Sequence, residues 1–176
     1  STRGRLFVAY VRFLFAEKVE EYKCRKTCGW SGIVDLGTRA NTIQRVDDMI
    51  DACKDGAEET IFYSLNEGEA FVDFMYKSGG TYYAIKVTTA GKHDWDKQKL
   101  ERFLNELDLQ KEEQLCLVNA VPESTFSKFV TDPVDPISDL DEMSDKVEII
   151  LAAVPKPALK SQRKRTRHQD RDNRSF

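Results

Sequence analysis

The sequence predicts an α/β protein with a mixed sheet, an αβββαβ core and a disordered, basic C-terminal tail. Short apolar runs alternate with amphipathic helical patterns over residues 38–154, and the charge changes abruptly after residue 154. Hydrophobic residues make up 40% of the 176 residues, which is enough for a sizeable core without metals or disulfides. We therefore expect an N-terminal segment over residues 1–37, an α/β domain over 38–154 and a tail over 155–176.

The first half of the chain contains two predicted helices. Residues 6–30 form an apolar pattern that favours a helix ending in a turn. Over residues 38–55 apolar residues recur at steps of three and four, which predicts an amphipathic helix. These apolar residues are Ile43, Val46, Met49, Ile50 and Cys53.

Residues 60–154 contain the predicted strands and one more helix. The strands are expected at Thr60–Leu65, Glu69–Tyr76, Thr81–Thr88, Gln114–Ala120 and Lys146–Val154. A helix from about Asp94 to Leu107 would bury a stripe formed by Leu100, Phe103, Leu104 and Leu107. A helical crossover between strands returns the chain in parallel, so the predicted sheet is mixed.

Charge is divided unevenly between the body of the chain and its tail. Residues 1–154 hold 19 Lys and Arg against 28 Asp and Glu, whereas residues 155–176 hold eight against two. The tail includes the basic cluster Arg163, Lys164, Arg165 and Arg167. Such clusters are typical of nuclear-import signals and of arms that bind nucleic-acid phosphates, although a merely solvated tail is the alternative. We expect a nuclear protein, with the cytoplasm as a second location.

Several other classes of protein do not fit the sequence. The longest apolar stretch, Leu6–Phe15, has ten residues, and a membrane span needs about 20. No secretory signal is present, so we expect the four cysteines to be free in a reducing compartment, with Cys53 and Cys116 in the core. Cys24 and Cys28 have no matching pair of ligands for zinc. Because the first residue is Ser, we expect a fragment of a longer protein.

The predicted hairpin places Asp73 and Lys86 on one face of the sheet. With a Gly79-Gly80 loop Asp73 lies opposite Lys86, and with a loop over 77–80 it lies opposite Ala84 and diagonal to Lys86. Both loops have even length, so both side chains share a face. The other face is expected to pack through Val72, Phe74, Tyr83, Ile85 and Val87. The pair is either a cross-strand ion pair or half of a metal-assisted phosphodiester-cleaving site.

The segment FVDF, a short turn and YAIKVTTAGKHD resemble the trypanosomatid retrotransposon hot spot proteins and the related Crinkler effectors. The similarity covers residues 38–120 and includes the αβββαβ order of helices and strands of a PD-(D/E)xK nuclease core. It implies association with nucleic acid, with Asp73, Lys86 and His93 as catalytic residues and Lys92 beside the phosphate. Trp95 and Tyr82 are expected to be packing groups rather than platforms for bases.

The sequence departs from the active nuclease pattern at Ala84, where active members carry Asp, Glu or Gln. A Mg²⁺ ion would then depend on Asp73 and a neighbour such as Glu69 or Glu67. No GxxxxGK[ST] motif is present, so the phosphate-binding NTPase module of the larger relatives is absent from this sequence. We expect a degenerate core with weak or no cleavage. The alternative is a non-catalytic module that binds protein or chromatin.

Overall fold

A mixed sheet forms the centre of the computed structural model, with helices on both of its faces. The structure describes residues 2–17, 22–26, 31–34, 42–56, 60–64, 71–92, 95–129 and 145–157. Within these residues the sheet has eight strands in the order β2-β1-β8-β7-β6-β5-β4-β3. The α/β class and the mixed sheet predicted from the sequence are confirmed.

Eight strands and four helices lie in the described part of the chain. The strands are β1 (Tyr22–Lys26), β2 (Ser31–Val34), β3 (Thr42–Val46), β4 (Thr60–Ser64), β5 (Phe74–Ser78), β6 (Thr81–Val87), β7 (Gln114–Pro122) and β8 (Val147–Val154). The helices are α1 (Thr2–Ala16), α2 (Met49–Asp55), α3 (Lys97–Leu107) and α4 (Glu123–Phe126). Strands β6, β7 and β8 run parallel to one another, as do β3 and β4, and the remaining neighbours are antiparallel.

The predicted helix over residues 6–30 is wrong in its second half. Helix α1 ends at Ala16, and β1 then pairs antiparallel with β8, with Cys24 opposite Ala152. Tyr22 and Cys24 are buried while Lys23 between them is exposed, which is the alternation of a half-buried strand. The sheet therefore extends to the N-terminal side of the expected boundary at residue 37.

The predicted helix over residues 38–55 is also wrong in its first half. Residues 42–46 form β3, which pairs in parallel with β4, and the helix begins only at Met49. Asp48 caps this helix, because its Oδ1 accepts a hydrogen bond from the amide of Asp51 at 3.1 Å. Pairing with β4 therefore prevails over the helical spacing of Ile43 and Val46. The predicted burial of Met49, Ile50 and Cys53 is confirmed.

The later elements agree with the sequence, apart from their ends. Helix α3 begins after Asp96, whose Oδ1 accepts from the amide of Lys99 at 3.0 Å, and its predicted apolar stripe is buried. Helix α4 is short and was not predicted. None of the helices in the described residues is long and apolar enough to cross a membrane.

Two hydrophobic cores lie on opposite faces of the sheet. The α2/α3 face packs against helices α2 and α3, and its strand residues include Met75, Tyr82, Ala84, Leu115 and Leu117. The α1 face packs against helix α1, and its strand residues include Ile61, Phe74, Ile85, Cys116 and Val118. Among the described cysteines, Cys24, Cys53 and Cys116 are buried and form no disulfide, and burial raises the pKa of the Cys53 thiol to about 12.

The β5–β6 hairpin closes through a two-residue loop at Gly79-Gly80. Ser78 pairs with Thr81, and Gly79 has a φ of +58°, a conformation that glycine adopts without steric cost. A Cβ at Gly80 would lie 2.8 Å from the carbonyl oxygen of Glu112, so a larger residue is not accommodated there. Of the two loops that the sequence allowed, the Gly79-Gly80 loop therefore sets the register of the hairpin.

Candidate functional site

Asp73 and Lys86 lie side by side on the α2/α3 face. Phe74 pairs with Ile85 and Met75 with Ala84, and Asp73 immediately precedes this paired segment on the side of Lys86. Lys86 Nζ lies 3.8 Å from Asp73 Oδ1, with 25% of the lysine side chain and 19% of the aspartate side chain exposed. The prediction that these two side chains share one face is confirmed.

The Asp73 carboxylate also continues the hairpin's hydrogen bonding. Its Oδ2 accepts from the amide of Val87 at 2.7 Å, while the Asp73 amide donates to the carbonyl of Ile85 at 2.8 Å. Asp73, which immediately precedes β5, thus provides the acceptor for a backbone amide of β6. Asp73 therefore stabilises the hairpin, whether or not its carboxylate also takes part in a reaction.

Val72 does not pack on the face that the sequence predicts. It is buried in the α2/α3 core, whereas Phe74, Ile85 and Val87 are in the α1 core as predicted. The bond from the Asp73 amide to Ile85 is offset by one residue from the Phe74–Ile85 pairing. Strand alternation therefore begins at Phe74 and does not extend back to Val72.

The described residues do not fit a Mg²⁺ site. Ala84 is fully buried and pairs with Met75 and Leu117, so the position of the second acid has apolar neighbours. Asp73 has one oxygen bonded to an amide and the other facing an ammonium. In the part of the chain that the structure describes, no three His, Cys, Asp or Glu side chains group together as metal ligands. The predicted ligand Glu69, and Glu67, lie outside the described residues.

Asn119 is a polar residue of this site that the sequence reasoning missed. It lies in register with Lys86 on the parallel strand β7, and it is only 1% exposed. Its side-chain Oδ1 and Nδ2 are both buried, and neither has a hydrogen-bond partner among the described residues. Its neighbour on β8 is Leu151, which offers no polar group. The single Asn in the apolar run QLCLVNA was the available signal.

Asp73, just before β5, Lys86 on β6 and Asn119 on β7 form a polar row across the sheet. Leu115 and Leu117 precede Asn119 at alternate positions in the α2/α3 core, so Asn119 belongs to the same face. Lys86 and Asn119 lie near the carboxyl ends of the parallel strands β6 and β7. Ligands bind at the carboxyl ends of parallel strands in open α/β sheets. The polar row is therefore the candidate site of this chain.

Of the other predicted site residues, only Lys92 lies in the described part of the chain. Lys92 is exposed, after the end of β6. His93 and the basic cluster Arg163, Lys164, Arg165 and Arg167 lie outside the described residues. Trp95 and Tyr82 are buried in the α2/α3 core, so the prediction that they are packing groups is confirmed.

A separate open groove of about 460 Å³ lies between α2, α3 and the strands beneath them. Its floor is apolar and includes Val72 and Phe103, while Asp48 and Arg102 contribute opposite charges to its lining. None of the three residues of the polar row lines this groove. The groove and the polar row are therefore distinct features of the same face.

No family model, no curated protein and no solved structure matches this chain.

Proposed function

We propose that this chain is a nucleic-acid-associated protein with a degenerate core that resembles those of PD-(D/E)xK nucleases and retrotransposon hot spot proteins. The observation that carries the proposal is the pairing of Asp73 and Lys86, 3.8 Å apart on one face of a hairpin. The hairpin lies within the order α2-β4-β5-β6-α3-β7, which is the αβββαβ order of such cores. An acid and a lysine on adjacent strands are the elements that metal-assisted phosphodiester cleavage uses.

The same geometry favours binding without cleavage. Cleavage by this class of site needs a second acid beside the first, and Ala84 occupies that position in an apolar environment. A single carboxylate leaves Mg²⁺ to water and substrate, which gives a weak site at best. The expected activity is therefore retention of a nucleic-acid strand, with weak or no metal-dependent cleavage.

The basic tail supplies most of the expected affinity. Residues 158–176 carry seven Lys and Arg against two acidic residues, whereas residues 1–157 carry 20 against 28. Arg and Lys side chains that neutralise phosphates release counterions, so affinity falls with salt. The tail also resembles a nuclear-import signal, and we place the protein in the nucleus on that basis.

A salt titration of DNA binding tests the function of the tail. Tyr10 donates a hydrogen bond to the carbonyl oxygen of Pro155 at 2.8 Å, so the truncation is made after Pro157 to keep this contact. For full-length protein we expect a slope of log affinity against log salt of roughly −5 to −7. Removing residues 158–176 should bring the slope close to zero. An unchanged slope would assign binding to the sheet instead.

A cleavage assay tests the function of the core. End-labelled duplex and single-stranded DNA and RNA are incubated with the full chain and Mg²⁺ or Mn²⁺, with Asp73→Asn as the matched control because asparagine keeps an acceptor for the Val87 amide. We expect binding with little or no cleavage, and no difference between the two proteins in cleavage. Efficient cleavage that Asp73→Asn abolishes would show an active nuclease.

A protein or chromatin interaction module is the second candidate, favoured by the outer surface of α1. Leu6 and Phe13 lie seven residues apart on this helix and are 68% and 55% exposed. Residues spaced by seven lie on one side of a helix. If this surface binds a protein partner, replacing both by serine should weaken binding to reconstituted nucleosomes but not to naked DNA. Ala9→Ser on the same helix is the control.

A further inference from the structure

We propose that Asn119 and Lys86 together bind a phosphate oxygen of a nucleic-acid strand at the carboxyl ends of β6 and β7. The inference rests on the function proposed above and adds the residues and the ligand chemistry that it leaves open. It assigns to Asn119 a binding role that neither the sequence pattern nor the family resemblance suggested.

The first reason is the unmet hydrogen-bonding capacity of Asn119. A buried amide without partners is costly, and most buried side-chain polar atoms in proteins have a partner. Asn119 lies between Lys86 on β6 and Leu151 on β8. Because the Leu151 side chain is apolar, the partner that we infer is a bound molecule on the side of Lys86. A buried water molecule is the plain alternative, and the experiment below separates it from a ligand.

The second reason is the state of the Lys86 ammonium group. Its distance of 3.8 Å from Asp73 Oδ1 is beyond hydrogen-bond range, and no other residue in the described part of the chain bonds to it. Its side chain remains 25% exposed, so a solute can reach it. Lys86 therefore has donors available beside the buried donors of Asn119.

The chemistry of these groups selects an anionic oxygen as the ligand. Lys86 has three N–H donors and a positive charge, and the Asn119 amide adds two N–H donors. A phosphate oxygen accepts from both, and ammonium groups bind phosphate as point charges. The Asn119 Oδ1 can accept from Lys86 once the ammonium turns towards β7. The ligand oxygen would thus complete a network that the free protein leaves open.

Asp73 limits where the anion binds. Its carboxylate lies on the β5 side of Lys86, and its Oδ2 is bonded to the Val87 amide. Repulsion from this carboxylate favours an anion on the β7 side, beside Asn119. Ligand binding would then compete with the Asp73–Lys86 pair for the ammonium.

The test compares Asn119→Leu with wild type in stability and in binding. Leucine has the same number and branching of side-chain heavy atoms as asparagine and removes the unmet amide, so we expect an unfolding temperature equal to or above that of wild type. Affinity for a fluorescent oligonucleotide should fall about tenfold. It is measured on the full chain over a salt series, because the contribution of the tail falls as salt rises. Lys77→Gln removes a charge at the other end of the hairpin and should change affinity less than twofold.

Nuclear magnetic resonance of the Asn119 side-chain amide provides a second readout. Inorganic phosphate, a mononucleotide and oligonucleotides of increasing length are titrated into the full chain, with sodium chloride of equal ionic strength as the control. We expect each phosphate compound to shift the Asn119 NH₂ signals. An affinity that rises with oligonucleotide length would indicate the strand rather than free phosphate as the natural ligand.

The outcomes separate this inference from the proposed function. If Asn119→Leu binds oligonucleotide as wild type does and phosphate leaves the amide signals unmoved, the inference is wrong while nucleic-acid binding stands. If Asn119→Leu also loses stability in that case, a buried water satisfies the amide. If wild type binds no oligonucleotide but phosphate shifts the signals, the phosphate site stands and the nucleic-acid function fails.

Discussion

Two lysine–carboxylate pairs lie on the α2/α3 face of the β5–β6 hairpin, towards its opposite ends. They differ in how many of their polar groups are hydrogen-bonded. Near the loop, Lys77 Nζ lies 2.8 Å from Glu113 Oε2 and 4.8 Å from the centre of the Tyr82 ring. The Glu113 Oε1 accepts from the amide of Gln110 at 2.9 Å. At the far end, Lys86 and Asp73 lie 3.8 Å apart, and the Asn119 amide beside them has no hydrogen-bond partner in the described part of the chain.

This difference distinguishes the Lys77–Glu113 pair, which stabilises the fold, from the polar row, which is a candidate binding site. The hydrogen bond with Lys77 lowers the pKa of Glu113, and the same bond raises the pKa of Lys77. Each group of that pair thus stabilises the charged form of the other. The polar row has no comparable hydrogen-bonded ion pair, since Lys86 has no hydrogen bond to any described residue. Polar groups that a fold leaves unpaired are the ones available to a ligand.

The largest expected effect is the loss of stability in Ala84→Glu. Ala84 lies on β6 between the two lysine–carboxylate pairs. A carboxylate at this fully buried position should lower the free energy of unfolding by about 3 kcal/mol or more. Ala84→Gln adds similar volume without charge, so it should cost less. If the polar row retains nuclease-like geometry, Mg²⁺ should raise the unfolding temperature of Ala84→Glu and add measurable metal binding or cleavage.

Thermal denaturation with and without Mg²⁺ checks this expectation. Neither wild type nor Ala84→Gln should respond to the metal. Tight Mg²⁺ binding by the unmodified protein in calorimetry would contradict it, since a second ligand would then exist elsewhere. Equal losses of stability in the two variants would show that volume rather than charge determines the cost.

A smaller effect distinguishes the two lysines directly. Lys77→Met removes a hydrogen-bonded partner of Glu113, whose side chain is only 14% exposed, and should lower the free energy of unfolding by about 1 kcal/mol. Lys86→Met removes a cation that makes no hydrogen bond to the described residues and should change it by less than about 0.5 kcal/mol. Urea denaturation of both variants gives the comparison, and equal losses would remove the distinction between the pairs.

The hairpin was predictable because its register follows from elementary rules. Strand alternation and an even loop place Asp73 and Lys86 on one face, whichever of the two loops forms. The choice between the loops was not predictable, since both have even length and both keep the same alternation of side chains. Likewise, the spacing of Ile43 and Val46 indicated a helix, and only the tertiary pairing with β4 makes that segment a strand.

Asn119 shows what local patterns omit. The run around it predicts a strand correctly, but whether its amide has partners depends on which residues flank it on β6 and β8. Those neighbours come from segments about 30 residues away in each direction along the chain. The Val72 prediction failed for a related reason, because the hydrogen-bond offset at Asp73 interrupts the alternation that the sequence pattern assumes. The oversight at Asn119 and the error at Val72 both concern contacts between strands, whereas the strands themselves were predicted.

The smallest expected effect is the pH dependence that the Lys77–Glu113 pair contributes. The folded-state pKa of Glu113 is lowered from its ordinary value of 4.5, so the unfolded chain binds the proton more readily. The stability from this carboxylate is therefore present above pH 4.5 and is lost as the pH falls through the lower folded-state value. We expect Glu113→Gln and Lys77→Met each to flatten this part of the acid denaturation curve by less than about 1 kcal/mol, because the pair is partly exposed. Lys86→Met serves as the control and should leave the Glu113 contribution in place. Urea midpoints measured from pH 7 to pH 3 check the sign, and a curve equally steep in Glu113→Gln would assign the acid sensitivity to other carboxylates.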